Sequence, residues 1–82
     1  MGSVATVFKV YPEPGSEDAA KKEIEAKLKP KGIQVEEIAF GIKVIKVLFV
    51  HDDKEGSTEL EEKLRKVKGI NEVEVEDETL IS

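Results

Sequence analysis

Hydrophobic residues recur along the chain at two spacings, every second position in some stretches and every third or fourth position in others. The first spacing predicts β-strands and the second predicts α-helices. In the first strand, the alternate residues Val4, Thr6, Phe8 and Val10 form the face that we expect to meet the core. The predicted elements in chain order are a strand over 4–11, a helix after Ser16, strands over 33–38 and 42–50, a helix after Ser57 or Thr58, and a strand over 70–76.

Turn, capping and charged residues predict where these elements end. The run Lys29–Gly32 ends the first helix, because proline cannot continue a helix and Gly32 can close its C-terminus. The pair Glu36–Glu37 interrupts the alternation of the second strand, so we expect a bulge or a weakly paired edge there. Thr58 and Glu61 have the spacing of a capping box at the start of the second helix.

The order βαββαβ predicts an α+β fold of the ferredoxin-like type. Two right-handed crossovers place the first and third strands at the centre of a four-stranded antiparallel sheet and both helices on one face. We expect a single domain over 1–82, with residues 1–3 disordered. Each helix has an apolar stripe for packing on the sheet. The stripes are Ala20, Ile24 and Leu28 in the first helix, and Leu60, Leu64 and Val67 in the second.

The stretch around the third strand is the most informative part of the chain. From Ile42 to Val50 only two residues are polar, which is typical of a central strand that is buried on most of both faces. Gly41 can adopt a positive φ and therefore suits a tight turn before this strand. Phe40 is then at the tip of a hairpin, where it either folds back on the sheet edge or serves as an anchor for a partner.

Residues Ala39–Lys43, followed by His51–Thr58, resemble the guanine-nucleotide exchange domain of translation elongation factor 1-beta, in particular its stand-alone archaeal form. That family has an aromatic-glycine segment before a central strand and an acidic loop after it. The resemblance implies a non-enzymatic cytoplasmic factor that promotes GDP release from elongation factor 1-alpha, a GTPase, and that needs no cofactor. It also implies that the partner-binding residues are Phe40, Gly41, Lys43, Asp52, Asp53 and Lys54.

The end of the chain departs from the eukaryotic members of this family. Those members carry a lysine next to the C-terminus that reaches toward the magnesium site of the GTPase. Here the corresponding residues are Leu80-Ile81-Ser82. The role of that lysine therefore does not transfer to this chain.

Composition excludes several kinds of chemistry. The chain has no cysteine, and His51 is its only histidine, which argues against a thiolate or zinc site. The acidic loop with Asp52, Asp53 and Glu55 lacks EF-hand spacing, so we expect no bound metal. A net charge of −5 disfavours nucleic acid as a direct ligand. No apolar stretch is long enough to span a membrane.

Two other hypotheses fit the same fold. One is a small-molecule-binding module of the ACT type, or a dimer formed by pairing of edge strands, although we expect a monomer. The other is a stable scaffold without a partner. A charged fraction of 38% is typical of thermophile proteins and also of idealised designs.

Overall fold

The computed structural model describes residues 2–52 and 56–81. Its element order confirms the predicted βαββαβ arrangement. The first strand begins one residue earlier than predicted, inside the segment that we expected to be disordered. The elements are β1 (Ser3–Pro12), α1 (Glu17–Leu28), β2 (Gly32–Ala39), β3 (Ile42–Asp52), α2 (Ser57–Arg65) and β4 (Ile70–Leu80).

The four strands form one antiparallel sheet in the order β2-β3-β1-β4. The predicted central positions of β1 and β3 are therefore confirmed. β1 and β3 pair over nearly their whole lengths, from Ser3 opposite Asp52 to Val10 opposite Ile45. Two long central strands give the molecule its elongated shape, with principal extents of 41 × 23 × 17 Å.

The hydrophobic core lies between the sheet and the two helices, as the alternation in β1 predicted. Phe8 is fully buried and meets Phe49 of β3 edge to face, with ring centroids 5.8 Å apart. Ile45, Val47 and Phe49 are buried on the helix face of β3, whereas on the opposite face only Val44 is buried and Ile42 and Val50 are exposed. The predicted burial on most of both faces therefore holds for the helix face alone. The helices contribute Ala20, Ile24 and Leu64 to the same core, and Val67 adds to it from the turn after α2.

The predicted capping of both helices needs correction, although α1 starts after Ser16 and ends before Lys29 as predicted. Lys29 closes α1 in the left-handed conformation, with φ 46°, so Gly32 has no part in that cap. α2 has Gly56 at its N-cap position, and no side chain caps it. Thr58 therefore lies inside the first turn, and the predicted capping box with Glu61 is wrong. Glu61 instead accepts a hydrogen bond from Arg65, one turn later, at 3.0 Å.

The last strand is longer than the alternation of valines predicted. It continues to Leu80, which pairs with Val4, and the Ile81 N–H donates to the Ser3 carbonyl at 2.7 Å. A bulge at Glu76 shifts the register partway along β4. The acidic residues after Val75 remain exposed on this edge strand, so their charge does not prevent pairing. β2 also has a bulge, at Ile38 rather than at the predicted Glu36–Glu37.

A lysine bridges both edges of the sheet on the face that carries no helix. The Lys46 ammonium lies 3.1 Å from a carboxylate oxygen of Glu36 in β2 and 3.2 Å from one of Glu76 in β4. Hydrogen bonds to Glu36, the larger effect, and to Glu76 raise the pKa of Lys46 above its ordinary value. The carboxylate of Glu76, at the bulge in β4, therefore pairs with a lysine on another strand.

Two contacts attach the turn between α2 and β4 to its neighbours, one to the loop between β1 and α1 and one to α1 itself. The Glu13 N–H donates to the Gly69 carbonyl at 2.7 Å, and the Lys68 N–H donates to Glu23 Oε2 at 3.0 Å. Gly69 has φ +88°, and a Cβ built on it would lie 2.9 Å from the Cβ of Ser16. The two loops therefore pack closely only because residue 69 is glycine.

We expect Gly69→Ala to destabilise the fold by about 2 kcal/mol, since a left-handed alanine and a close approach to Ser16 each add strain. Urea unfolding measures this loss. Gly32→Ala is the matched control, because a Cβ there would make ordinary contacts with Leu48, the nearest at 3.7 Å. Equal stability of the two variants would contradict the close packing at Gly69.

Glu23 makes the stability of the fold depend on pH under acidic conditions. Its pKa is lowered, first by a hydrogen bond from Lys27 and second by the Lys68 N–H. Because the pKa is lower in the folded protein, the ionised carboxylate stabilises the fold at pH values above the unfolded pKa of 4.5. This stabilisation is lost as the pH falls through the folded pKa. Glu23→Gln should therefore melt at a lower temperature than the parent at pH 7, and the difference should close below pH 4.5. Glu25→Gln, which breaks an exposed pair with Lys21, should change little at either pH.

Candidate partner-binding site

A two-residue turn joins β2 to β3. Ala39 pairs with Ile42, and the two residues between them, Phe40 and Gly41, have φ values of 44° and 79°. Positive φ at both central positions is the type I′ turn, whose twist matches that of the flanking strands. The predicted turn at Gly41 is confirmed. A phenylalanine is an unusual choice for the first position, because left-handed backbone is unfavourable for bulky residues.

The Phe40 side chain projects into solvent. Its relative exposure is 103%, so it does not fold back on the sheet edge. Ile38 and Ile42 on either side are also exposed, at 47% and 54%. These residues, Ile38–Ile42, are called the hairpin tip below. An exposed aromatic residue between two exposed isoleucines is an apolar patch suited to contact with another protein.

A cleft of about 440 Å³ lies beside the hairpin tip. Phe40–Lys43 line one side of it. The segment from the last residue of β1 to the first residue of α1 lines the other side, through Pro12, Pro14, Gly15 and Glu17. The antiparallel pairing of β1 with β3 brings the two sides together, because the end of β1 lies beside the start of β3. Phe40, Gly41 and Lys43 thus share one cleft, called the tip cleft below.

The other resemblance-based residues lie elsewhere. Asp52 is the last residue of β3, eleven residues long, and strand geometry places it about 33 Å from Ile42. Asp53 and Lys54 lie outside the described residues. The segment that carries the resemblance therefore extends along β3, and Asp52 does not lie near Phe40.

His51 has a structural environment near that far end. Its Nδ1 lies 3.0 Å from the Asp52 carbonyl oxygen, so it donates there, and Nε2 accepts from the fully buried Thr6 hydroxyl at 2.8 Å. In the described part of the chain, no group of three or more His, Asp or Glu side chains is arranged to hold a metal ion. Neither described helix is long and apolar enough to cross a membrane.

Comparison with known protein families decides between the hypotheses for this fold. A family model described as the EF-1 guanine nucleotide exchange domain matches residues 5–81, which is nearly the whole chain. The chain belongs to this family. Its function is guanine nucleotide exchange, as the residues around Phe40 predicted.

Curated relatives of this exchange domain agree. Elongation factor 1-beta of Aeropyrum pernix is 43% identical over 94% of both chains. The proteins of that name from Methanosphaerula palustris and Methanothermobacter thermautotrophicus are 42% identical, over 98% of this chain and 99% of the relative, and 40% identical, over 94% of both. All three organisms are archaea, which agrees with the predicted archaeal form.

The structure adds residues that sequence reasoning missed at this site of the exchange domain. Ile38 and Ile42 extend the apolar surface around Phe40, and the loop from Pro12 to Glu17 forms the far side of the tip cleft. The predicted topology contained a signal for this loop. If β1 and β3 are antiparallel neighbours, the end of β1 must lie near the turn that precedes β3.

Proposed function

We propose that this exchange domain promotes GDP release from elongation factor 1-alpha by inserting Phe40 into the GTPase. The observation that carries this proposal is the full exposure of Phe40 in a turn of positive φ. Such a residue contributes nothing to the core, and its backbone conformation is unfavourable by about 1 kcal/mol. A side chain retained at that cost to folding is well placed to act outside the fold.

The gain on binding would exceed this cost. Fully burying a phenylalanine side chain contributes about 1.5–3 kcal/mol. Part of that gain offsets the loss of freedom on association. The turn is held by strand pairing on both sides, from Glu37 opposite Lys43 to Ala39 opposite Ile42, so little backbone freedom would be lost there.

Exchange of this kind needs no covalent step. A factor that binds most tightly to a GTPase conformation of low nucleotide affinity weakens nucleotide binding, and by linkage the nucleotide weakens factor binding. Acidic charge on the factor, −5 overall, would speed association with a basic partner. A partner that works in translation implies a cytoplasmic location.

The remaining residues would act at two separate places. Gly41 would permit the turn, and Lys43 would contact the GTPase beside Phe40. Asp52, Asp53 and Lys54 would form a second contact along the length of the domain, because Asp52 lies at the opposite end of β3. The GTPase would then be touched at both ends of the sheet.

We also infer that the domain works as a monomer. The free edge of β4 carries exposed carboxylates at Glu72, Glu74 and Glu78. Pairing of two such edges would place like charges close together, which disfavours a dimer through this strand.

Stopped-flow release of fluorescent GDP from an archaeal elongation factor 1-alpha tests the proposal. We expect the release rate to rise with the concentration of this protein and then to saturate, because a complex forms before release. An unchanged rate, together with no binding to the GTPase by calorimetry, would reject the exchange function for this chain and this partner.

A further inference from the structure

We propose that the loop Pro12–Glu17 is a second binding element of the exchange domain. Together with the hairpin tip it would clamp one segment of the GTPase, a segment in which an apolar side chain is followed or preceded by a basic residue. The inference rests on the proposed function and adds the chemistry of the bound segment. It assigns Glu17 the role of a specificity-determining residue.

Part of the lining of the tip cleft is apolar and suits the apolar side chain of such a segment. Phe40 and Ile42 line the cleft on the hairpin side, Pro12 and Pro14 line it on the other side, and none of these four residues carries a charge. A cleft of about 440 Å³ is within the size range of protein binding pockets, so an apolar side chain of the partner fits inside it.

The loop is fixed in place before any partner binds. The Ser16 N–H donates to the Glu13 carbonyl at 2.9 Å, which closes a turn, and the Glu13 N–H donates to Gly69 at 2.7 Å, which attaches that turn to the neighbouring loop. Gly69 packs directly against Ser16. A preorganised loop loses little freedom on binding, so contacts with it add to affinity with little cost in ordering.

Glu17 gives the cleft its charge preference. Its Oε1 accepts the Gly15 N–H at 2.6 Å, which fixes the carboxylate in the half-buried wall of the cleft. Within the described residues Oε2 makes no hydrogen bond or ion pair. A basic side chain of the partner would donate a charge-assisted hydrogen bond to Oε2 of Glu17.

Lys43 lines the opposite side of the cleft. Its positive charge would repel a basic residue placed beside the hairpin tip, so the basic residue of the bound segment would lie next to Glu17.

The test compares two neighbouring acids in the first turn of α1, Glu17 and Asp18. Glu17→Gln retains an oxygen for the Gly15 N–H and removes only the charge, whereas Glu17→Lys reverses it. We expect Glu17→Gln to raise the half-saturating concentration of the factor in GDP release about tenfold, with the maximal rate within about twofold of the parent. Glu17→Lys should raise that concentration further, and binding calorimetry should show the same order.

Asp18→Lys is the matched control, because Asp18 is exposed beside Glu17 in the first turn of α1, does not line the cleft and gives the same change in net charge as Glu17→Lys. We expect it to shift the half-saturating concentration by no more than about threefold, through long-range steering alone. Equal effects of the two lysine variants, or a Glu17→Gln variant that matches an active parent, would overturn the clamp and leave the exchange function standing. A parent that neither binds nor accelerates release would overturn both.

Discussion

Replacement of Phe40 by alanine is expected to reduce the acceleration of GDP release about 30-fold, the loss associated with a buried aromatic residue at the centre of an interface. The free energy of unfolding should stay within about 0.5 kcal/mol of the parent value, because the side chain is fully exposed and alanine adopts the same turn. Stopped-flow GDP release and urea unfolding on the same preparations measure the two quantities.

Phe40→Asn separates stability from function more sharply. Asparagine followed by glycine is the preferred pair for a type I′ turn, so this variant should be more stable than the parent by about 0.5–1 kcal/mol. It lacks the aromatic ring and should be as inactive as the alanine variant. A stabilised variant that still accelerates release would show that Phe40 is not the anchor.

The fold was predictable because its signals are local. Alternation along β1 identified the buried face of Phe8 and Val10, and the apolar run from Ile42 to Val50 identified the central strand. Gly41 located the hairpin turn because few other residues adopt a positive φ readily. In each case, neighbouring residues carry the information.

The errors arose where partners are distant in sequence. β4 extends to Leu80 because Val4 pairs with it from the other end of the chain, and a run of acids gave no hint of this pairing. The bulge at Glu76 likewise brings its carboxylate to Lys46, thirty positions earlier. The N-cap position of α2, Gly56, was missed because Thr58, two residues later, has a side chain better suited to capping.

The spatial arrangement of the proposed site residues was less predictable, for a related reason. The resemblance named Phe40, Gly41, Lys43 and Asp52, and the structure brings the first three to one cleft and places Asp52 at the other end of β3. An extended strand separates the segments at its two ends by its whole length. Glu17 joins the tip cleft through sheet topology, for which neighbouring residues carry no signal.

Phe8→Ala is expected to have the largest effect on stability of any change discussed, a loss of about 3–5 kcal/mol. Phe8 is fully buried at the centre of β1 and packs edge to face on Phe49, so truncation leaves a cavity between sheet and helices. A domain of 82 residues is typically stable by about 4–12 kcal/mol. Thermal unfolding should therefore begin at least about 15 °C lower.

Phe40→Ala removes the same atoms from an exposed position and serves as the control. The difference in the free energy of unfolding between the two variants therefore measures the effect of burial. Phe49→Ala and the double variant complete a cycle, in which the coupling between the rings should be about 0.5–1.5 kcal/mol. Below its melting temperature, Phe8→Ala should still accelerate GDP release, because Phe8 lies in the core and does not line the tip cleft. Loss of exchange in a folded Phe8→Ala variant would mean that the core and the hairpin tip are coupled. In that case, the strand pairing that holds the turn would be part of the exchange mechanism.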